Sequence, residues 1–226
     1  MTKTTSPTII LASGSPRRRQ FLNQLGLAHS IQVADIDETP LPNEQPTAIA
    51  QRLAKAKALA VASSPALTEN SKERNDAIVI AADTVVALGS ESLGKPTTAA
   101  EATAMLRQLR NRIHQVITVV SIVNTRTQRQ HTRVNVTNVH MRDYSDAEIA
   151  DYVASGDPFD KAGGYAIQHP DFAPVAQIDG CLSAVIGLPL GDLSELLGKQ
   201  GVTLSCPLHT ICQGEMQFPC CHRPAS

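Results

Sequence analysis

Asp83 is the residue whose type and setting point most directly to chemistry. It is the one charged residue in the run Ala77–Leu88 (AIVIAADTVVAL), which otherwise reads as a central strand buried on both faces. A carboxylate there is partly desolvated, so it raises its pKa, pairs with a cation or holds a metal. Each outcome suits a general base or a magnesium ligand. The plainer alternative is a structural aspartate bonded to a nearby backbone turn. A second candidate is Ser13–Gly14–Ser15–Pro16–Arg17–Arg18–Arg19, which follows a strand and opens a helix. Free backbone N–H groups and the positive dipole end make that position an anion site. Three arginines there add positive charge to a positive end, unfavourable by about 0.3–1 kcal/mol each, and a bound phosphate relieves this. Arginines splayed into solvent are the alternative.

Other residues are weaker signals on their own. Asp35, Asp37 and Glu38 form an acidic loop before Pro40 that can supply magnesium ligands, although such loops are usually solvated. Lys57 follows Ile49 and Leu53 at i+4 steps and shares their inward stripe, whereas Lys55 does not; a lysine snorkelling at the stripe's edge reads equally well. Lys95, after the Gly94 turn, is a further cation without a pattern. Gln168 ends the Gly-, Pro- and Asp-containing stretch from Asp157, and its amide has both donors and acceptors, which suits reading the edge of a base. A surface pair of Asp160 with Lys161 competes with that reading. His114 begins a strand with no partner in view and reads as structural. No GxxxxGK[ST], GxGxxG, HExxH or GxSxG motif occurs.

The elements that must position these residues alternate between strand and helix. A short strand over Thr8–Ser13 is followed by a helix over Pro16–Leu27, with Ser15 as N-cap and Pro16 at its first position. A helix over about Thr47–Ala62 precedes the central strand, which Val85–Leu88 continues into a hairpin at Gly89–Ser90 and Gly94. Thr98–Arg110 reads as a helix, then His114–Asn124 and Thr132–Met141 as two long strands. Ser145 with Glu148 forms a capping box for a helix over Asp146–Ala154. Gly156–Pro170 reads as a long loop, Val185–Gly187 as a last strand and Leu190–Leu197 as a last helix. The expected class is mixed α/β.

Composition narrows the function classes. Of 226 residues 42% are apolar, and Lys plus Arg (20) nearly balance Asp plus Glu (21), so the chain is a folded protein without a broad basic field. That argues against nucleic acid as a partner. No apolar run reaches the roughly 18 residues of a membrane span, and Met1–Thr8 is too polar and short for the core of a secretory signal. The expectation is a cytoplasmic protein with no membrane partner. All five cysteines lie from Cys181 onward. Cys206, Cys212, Cys220, Cys221 and His222 match no CxxC spacing, so a loosely held tail is preferred over a zinc site.

Taken together, the segments LASGSPRR (Leu11–Arg18), DETP (Asp37–Pro40), RLAKAKA (Arg52–Ala58), AADTVV (Ala81–Val86), LGKP (Leu93–Pro96), DKAGGYAIQ (Asp160–Gln168) and VIGLPL (Val185–Leu190) resemble the Maf family of nucleoside triphosphate pyrophosphatases, in family order. The DKAG-x-Y-x-IQ segment is similar to the dTTP/UTP branch, where the branch acting on 7-methyl-GTP has a CAGSF-like piece. The resemblance implies a Maf/ITPase-like α/β fold, with a larger and a smaller lobe and a nucleotide cleft between them. A family domain would occupy residues 1–200, followed by a divergent tail, 201–226. It also implies hydrolysis of dTTP or UTP, with modified pyrimidine nucleotides as further candidates, to monophosphate and pyrophosphate. Asp83 would be the proton acceptor, and Arg17, Thr84 and Gln168 would shape substrate choice. Ser13, Arg18, Lys57 and Lys95 would line the phosphate site. Glu38 and Asp83 would hold Mg²⁺ or another divalent cation such as Mn²⁺. A homodimer stays open, as does a regulatory binding role linked to septum inhibition. Two departures stand out: His169–Pro170 follows Gln168 where glycine is usual, and Asp179–Ala184 replaces a Tyr-bearing segment.

Overall fold

The structure, a computed structural model, describes residues 7–64, 67, 77–213 and 218. Its centre is a seven-stranded mixed sheet of order β2-β1-β3-β5-β6-β7, with β4 paired to β3 off that path. The strands are β1 (Thr8–Leu11), β2 (His29–Ile31), β3 (Ala77–Leu88), β4 (Glu91–Leu93), β5 (Ile113–Asn124), β6 (Arg129–Met141) and β7 (Val175–Asp179). β1 runs parallel to β2 and β3; every other pairing is antiparallel. The expected mixed α/β class is what forms.

Helices cover both faces. One face carries α2 (Pro46–Ala62). Its apolar stripe (Ile49, Leu53, Ala54, Ala58, Val61) packs on Val79, Ala81, Val85, Ile117 and Val119. The other face carries α1 (Pro16–Gln24), α3 (Ala99–Leu109), α4 (Asp146–Ala154), α5 (Leu182–Ile186), α6 (Leu190–Gly198) and α7 (Leu208–Gln213). There Ile78, Ile80, Ala82, Val120 and Ile122 meet Phe21, Leu22, Leu193 and Leu197. Further along, Val86 and Val116 meet Leu106, Tyr144, Tyr152 and Leu182. The alternation of these sets along β3 and β5 follows from the two-residue period of a strand.

Caps act where the sequence places them. Ser15 accepts from the Arg18 N–H, and the Ser145–Glu148 capping box is complete. α1 stops at Gln24, short of the expected Leu27. The Gly156–Pro170 stretch is tighter than a plain loop, winding into 3₁₀ turns at Asp157–Asp160 and Ala162–Gly164. The expected strand at Val185–Gly187 is instead the end of α5; the last strand is β7, on the sheet edge. The reversal comes at Gly180, whose φ is +135° and whose missing Cβ would lie 2.6 Å from Thr137 Oγ1. There the chain leaves the sheet, so the apolar run beyond it has no strand to join. β2 was not foreseen.

Of the tail expected to be loosely held, residues 201–213 and 218 are described. Leu204, Cys206, Leu208 and Ile211 pack against the α1–α6 core, and Cys212 is 3% exposed. Cys220, Cys221 and His222, which the zinc alternative needs, lie outside the described residues.

Candidate active site

The site begins with a mismatch in strand length. β1 pairs with β3 only along Ala77–Ile80, and β4 rejoins β3 only at Val86–Leu88. Among the described residues, Ala81–Val85 therefore have no strand neighbour on that side. Through this opening both faces of β3 become reachable, so Asp83 and Thr84, which point to opposite faces, line the same cavity. The chain leaves β1 at its carboxyl end and enters α1 there, which aims the N-terminus of α1 into the opening. The cavity has a volume of about 720 Å³.

Nine of the sequence-derived candidates meet in it: Ser13, Arg17, Arg18, Glu38, Lys57, Asp83, Thr84, Lys95 and Gln168 line one wall or another. Asp35 and Asp37 do not. Asp37 instead accepts from the Thr39 N–H at 2.9 Å, a local turn contact. Arg19 is exposed and stays outside.

Asp83 sits on the α2 face of β3, and Lys57 is the cation opposite, with Nζ 2.7 Å from Asp83 Oδ1 and 2.9 Å from Glu38 Oε2. The lysine thus lies inside, where the stripe of α2 carries it. Burial pushes the Asp83 carboxyl above the ordinary range, and Lys57 and Arg18 offset this only in part. Glu38 is carried by a loop that is clamped to α2: the Arg52 fork donates to both Glu44 oxygens, each at 2.7 Å, and holds Glu44 down to about 2.

On the opposite face Arg18 is held at three points. It donates from Nε to the Gly187 carbonyl at 2.8 Å, from Nη1 to Ser13 Oγ at 3.1 Å and from Nη2 to Thr84 Oγ1 at 3.3 Å. Arg17 reaches Asp160 at 3.7 Å. The far wall is mostly apolar, with Val86, Leu93, Val116, Tyr165 and Ile167 beside the exposed Gln168. The loop that carries Gln168 is pinned by close approach: a Cβ on Gly163, where φ is +72°, would lie 2.9 Å from Val86 Cγ1. It is pinned again by the Ala166 N–H donating to the Tyr152 hydroxyl at 2.9 Å. Asp160 and Lys161 do pair, and Lys161 also holds Asp157 at 2.9 Å.

Sequence reasoning missed three contributors. The Gly187 carbonyl is invisible to side-chain patterns. Tyr165 was noted only as part of its loop, yet it walls the cavity and its hydroxyl lies 2.7 Å from His114 Nε2. His114 is structural, as expected, but it has this partner. Thr118 backs Thr84 across the β3–β5 ladder; a hydroxyl among the Val and Ile residues of β5 is the available signal.

The donor set suits a divalent cation. Glu38 and Asp83 already converge on one positive centre, and magnesium is commonly held by one or two carboxylates with substrate phosphates and waters completing the shell. Among the described residues no group of three His, Cys, Asp or Glu forms a cage of its own. Nor is any described helix long and apolar enough to cross a membrane.

Residues 8–200 match the Maf-like protein family. The chain belongs to that family. This Maf-like chain is 42% identical over 196 residues to the dTTP/UTP pyrophosphatase of Acetivibrio thermocellus, covering 87% of this chain and 96% of the relative. It is 45% identical over 212 residues to that of Thermomicrobium roseum, covering 91% and 92%. It is 45% identical over 196 residues to that of Myxococcus xanthus, covering 87% and 94%. The matched stretch of this Maf-like chain contains every cavity residue named above.

Proposed function

We propose that this chain is a nucleoside triphosphate pyrophosphatase that hydrolyses dTTP and UTP to the nucleoside monophosphate and pyrophosphate. The observation that carries the reading is Asp83: a buried carboxylate with a raised pKa, in an opening that also receives a helix N-terminus and a rigidly held arginine. The relatives' names support the same reaction class.

The division of labour follows from charge. The triphosphate lies against Arg18, Lys57, Lys95 and the N–H groups at the start of α1, which offset its negative charge. Ser13 hydrogen-bonds at the same end. Asp83 takes a proton from the water that attacks the α-phosphorus. The bond from that phosphorus to the bridging oxygen breaks, and pyrophosphate leaves with its charge held by the same cations. Glu38 and Asp83 would hold Mg²⁺ or Mn²⁺, which when bound neutralises phosphate charge. Gln168, at the mouth of the apolar wall, reads the base edge, with Arg17 and Thr84 completing the selection. In this reading the pyrimidine ring packs on the apolar wall beside that amide.

Pyrophosphate release tests this, read as phosphate after adding inorganic pyrophosphatase, over a panel of deoxy- and ribonucleoside triphosphates with and without EDTA. Metal-dependent turnover highest with dTTP and UTP is expected. A signal no greater than that of Asp83→Asn across the panel would overturn the reading and leave a binding role.

A further inference from the structure

Thr118 lies behind the wall of the cavity and is fully buried. It stands directly opposite Thr84 in the β3–β5 ladder. Its hydroxyl has two partners, the Ala184 carbonyl at 2.7 Å and the Thr84 hydroxyl at 3.0 Å. Thr84 in turn accepts from Arg18. Ala184 belongs to α5, and the Gly187 carbonyl just past the end of α5 accepts from Arg18 Nε. One buried hydroxyl therefore braces two of the three supports that hold the guanidinium, one on β3 and one at the end of α5. A valine here would fill the same space and pack among the neighbouring Val and Ile residues of β5. The hydroxyl is what the position adds to packing, and buried hydroxyls are kept where their partners need them.

Resting on the reading above, we propose that Thr118 is a positioning residue for substrate choice: it fixes the Thr84 hydroxyl and, through it, Arg18 against the phosphates. It touches no substrate. Its effect therefore passes through Thr84, and removing it should act on KM and on discrimination between nucleotides more than on kcat.

The test uses the full chain and five variants, one of them double. Thr118→Val should raise KM for dTTP about 5- to 10-fold, the effect of one lost hydrogen bond, and lower the ratio of kcat/KM for dTTP over CTP. Thr118→Ser should restore both toward wild type, because it keeps the hydroxyl and loses only a methyl group. In a Thr84→Val background, Thr118→Val should add little, since the two act as one unit. Thr118→Cys, with a weaker donor, should fall between Ser and Val and serves if the valine variant does not fold. A folded Thr118→Val with wild-type KM and selectivity would overturn the proposal. So would a serine variant as impaired as the valine one, or full additivity with Thr84→Val. Affinity for inorganic tripolyphosphate, measured by calorimetry, needs no turnover. If wild type fails to hydrolyse nucleotides yet Thr118→Val weakens tripolyphosphate binding, the activity reading falls and the positioning stands; unchanged binding overturns the positioning.

Discussion

Two lysines in this protein each bridge two carboxylates, and the two clusters behave oppositely. Lys57 holds Glu38 and Asp83. Lys161 holds Asp157 and Asp160. Both ammonium groups are largely buried, at 12% and 10% side-chain exposure. For Asp83 burial outweighs every favourable contact, and its carboxyl is pushed up. For Asp157 burial also pushes upward, but the Tyr152 hydroxyl at 2.6 Å and Lys161 outweigh it, and the net shift is down. The Lys161 partners are one and four residues away, on the same 3₁₀ turn, so the cluster forms as soon as that turn does. The Lys57 partners come from a loop and a strand distant in sequence. A cluster that is satisfied stabilises its own loop. One that is not satisfied leaves a carboxylate with a raised pKa, the property that the proposed general base requires.

The largest effect should come from Asp83→Asn. It keeps the shape and removes the charge, and should lower kcat about 100-fold or more, read by steady-state pyrophosphate release. Stability should not fall at neutral pH. A carboxyl with a raised folded-state pKa adds stability below its unfolded pKa and loses it as pH rises through the folded value, so ionising this group works against the fold. By the same sign, the acid limb of kcat/KM in wild type should lie above the ordinary carboxylate range. An equally active, folded Asn variant would erase the contrast between the clusters.

Next come the arginines. Arg18→Ala removes a guanidinium held at three points and should reduce kcat/KM by about 10- to 100-fold, whereas Arg19→Ala, outside the cavity, should change it by less than about 2-fold. Equal losses would point to a diffuse basic field in place of a fixed anion site.

Asp157→Ala should do the reverse of Asp83→Asn. It strips Lys161 and the Tyr152 hydroxyl of a partner, so the melting temperature should drop by a few degrees while kcat changes little. Its wild-type contribution is present above the unfolded carboxylate pKa and is lost as pH falls through the lower folded value. Urea melts at several pH values separate this from a catalytic effect.

The smallest effect isolates burial acting without a countercharge. His114 is 2% exposed, its Nδ1 has no hydrogen-bond partner among the described residues, and burial pushes it down to about 4. It is neutral in the fold, and its lowered pKa costs stability progressively as pH falls from about 6.5 toward that value. His114→Gln should flatten that part of the stability profile, even at some cost in overall stability. An unchanged slope between pH 6.5 and 4 would show that other groups govern it.

Much of the site could be read from local pattern because its strongest signals are local contradictions. A charge within an apolar strand marks Asp83, and arginines at a positive helix end mark Arg17 and Arg18. The inward stripe of α2 placed Lys57, but it could not tell a snorkelling lysine from one buried against two carboxylates. That choice needed the strand facing it. The same limit explains the misread run at Val185–Gly187, where a short apolar stretch suits a strand or a helix until Gly180 turns the chain off the sheet. It applies to the tail too, since Cys212 and its neighbours show no periodic face yet pack against the core between α1 and α6.

The sequence by itself determined which strands and helices carry an apolar face, which helix end is open to an anion and which residue types the chemistry can use, because propensity, periodicity and charge are properties of neighbouring residues. Only the tertiary structure decided that Asp83 and Thr84 share one cavity. Adjacent residues on a strand face opposite ways, and they meet the same space only because β1 stops and β4 begins on either side of them. That opening depends on the relative lengths and register of strands far apart in the chain, which no local pattern encodes. The supports of Arg18 from Gly187 and Thr84, and the hydroxyl of Thr118 behind them, follow from that same long-range register.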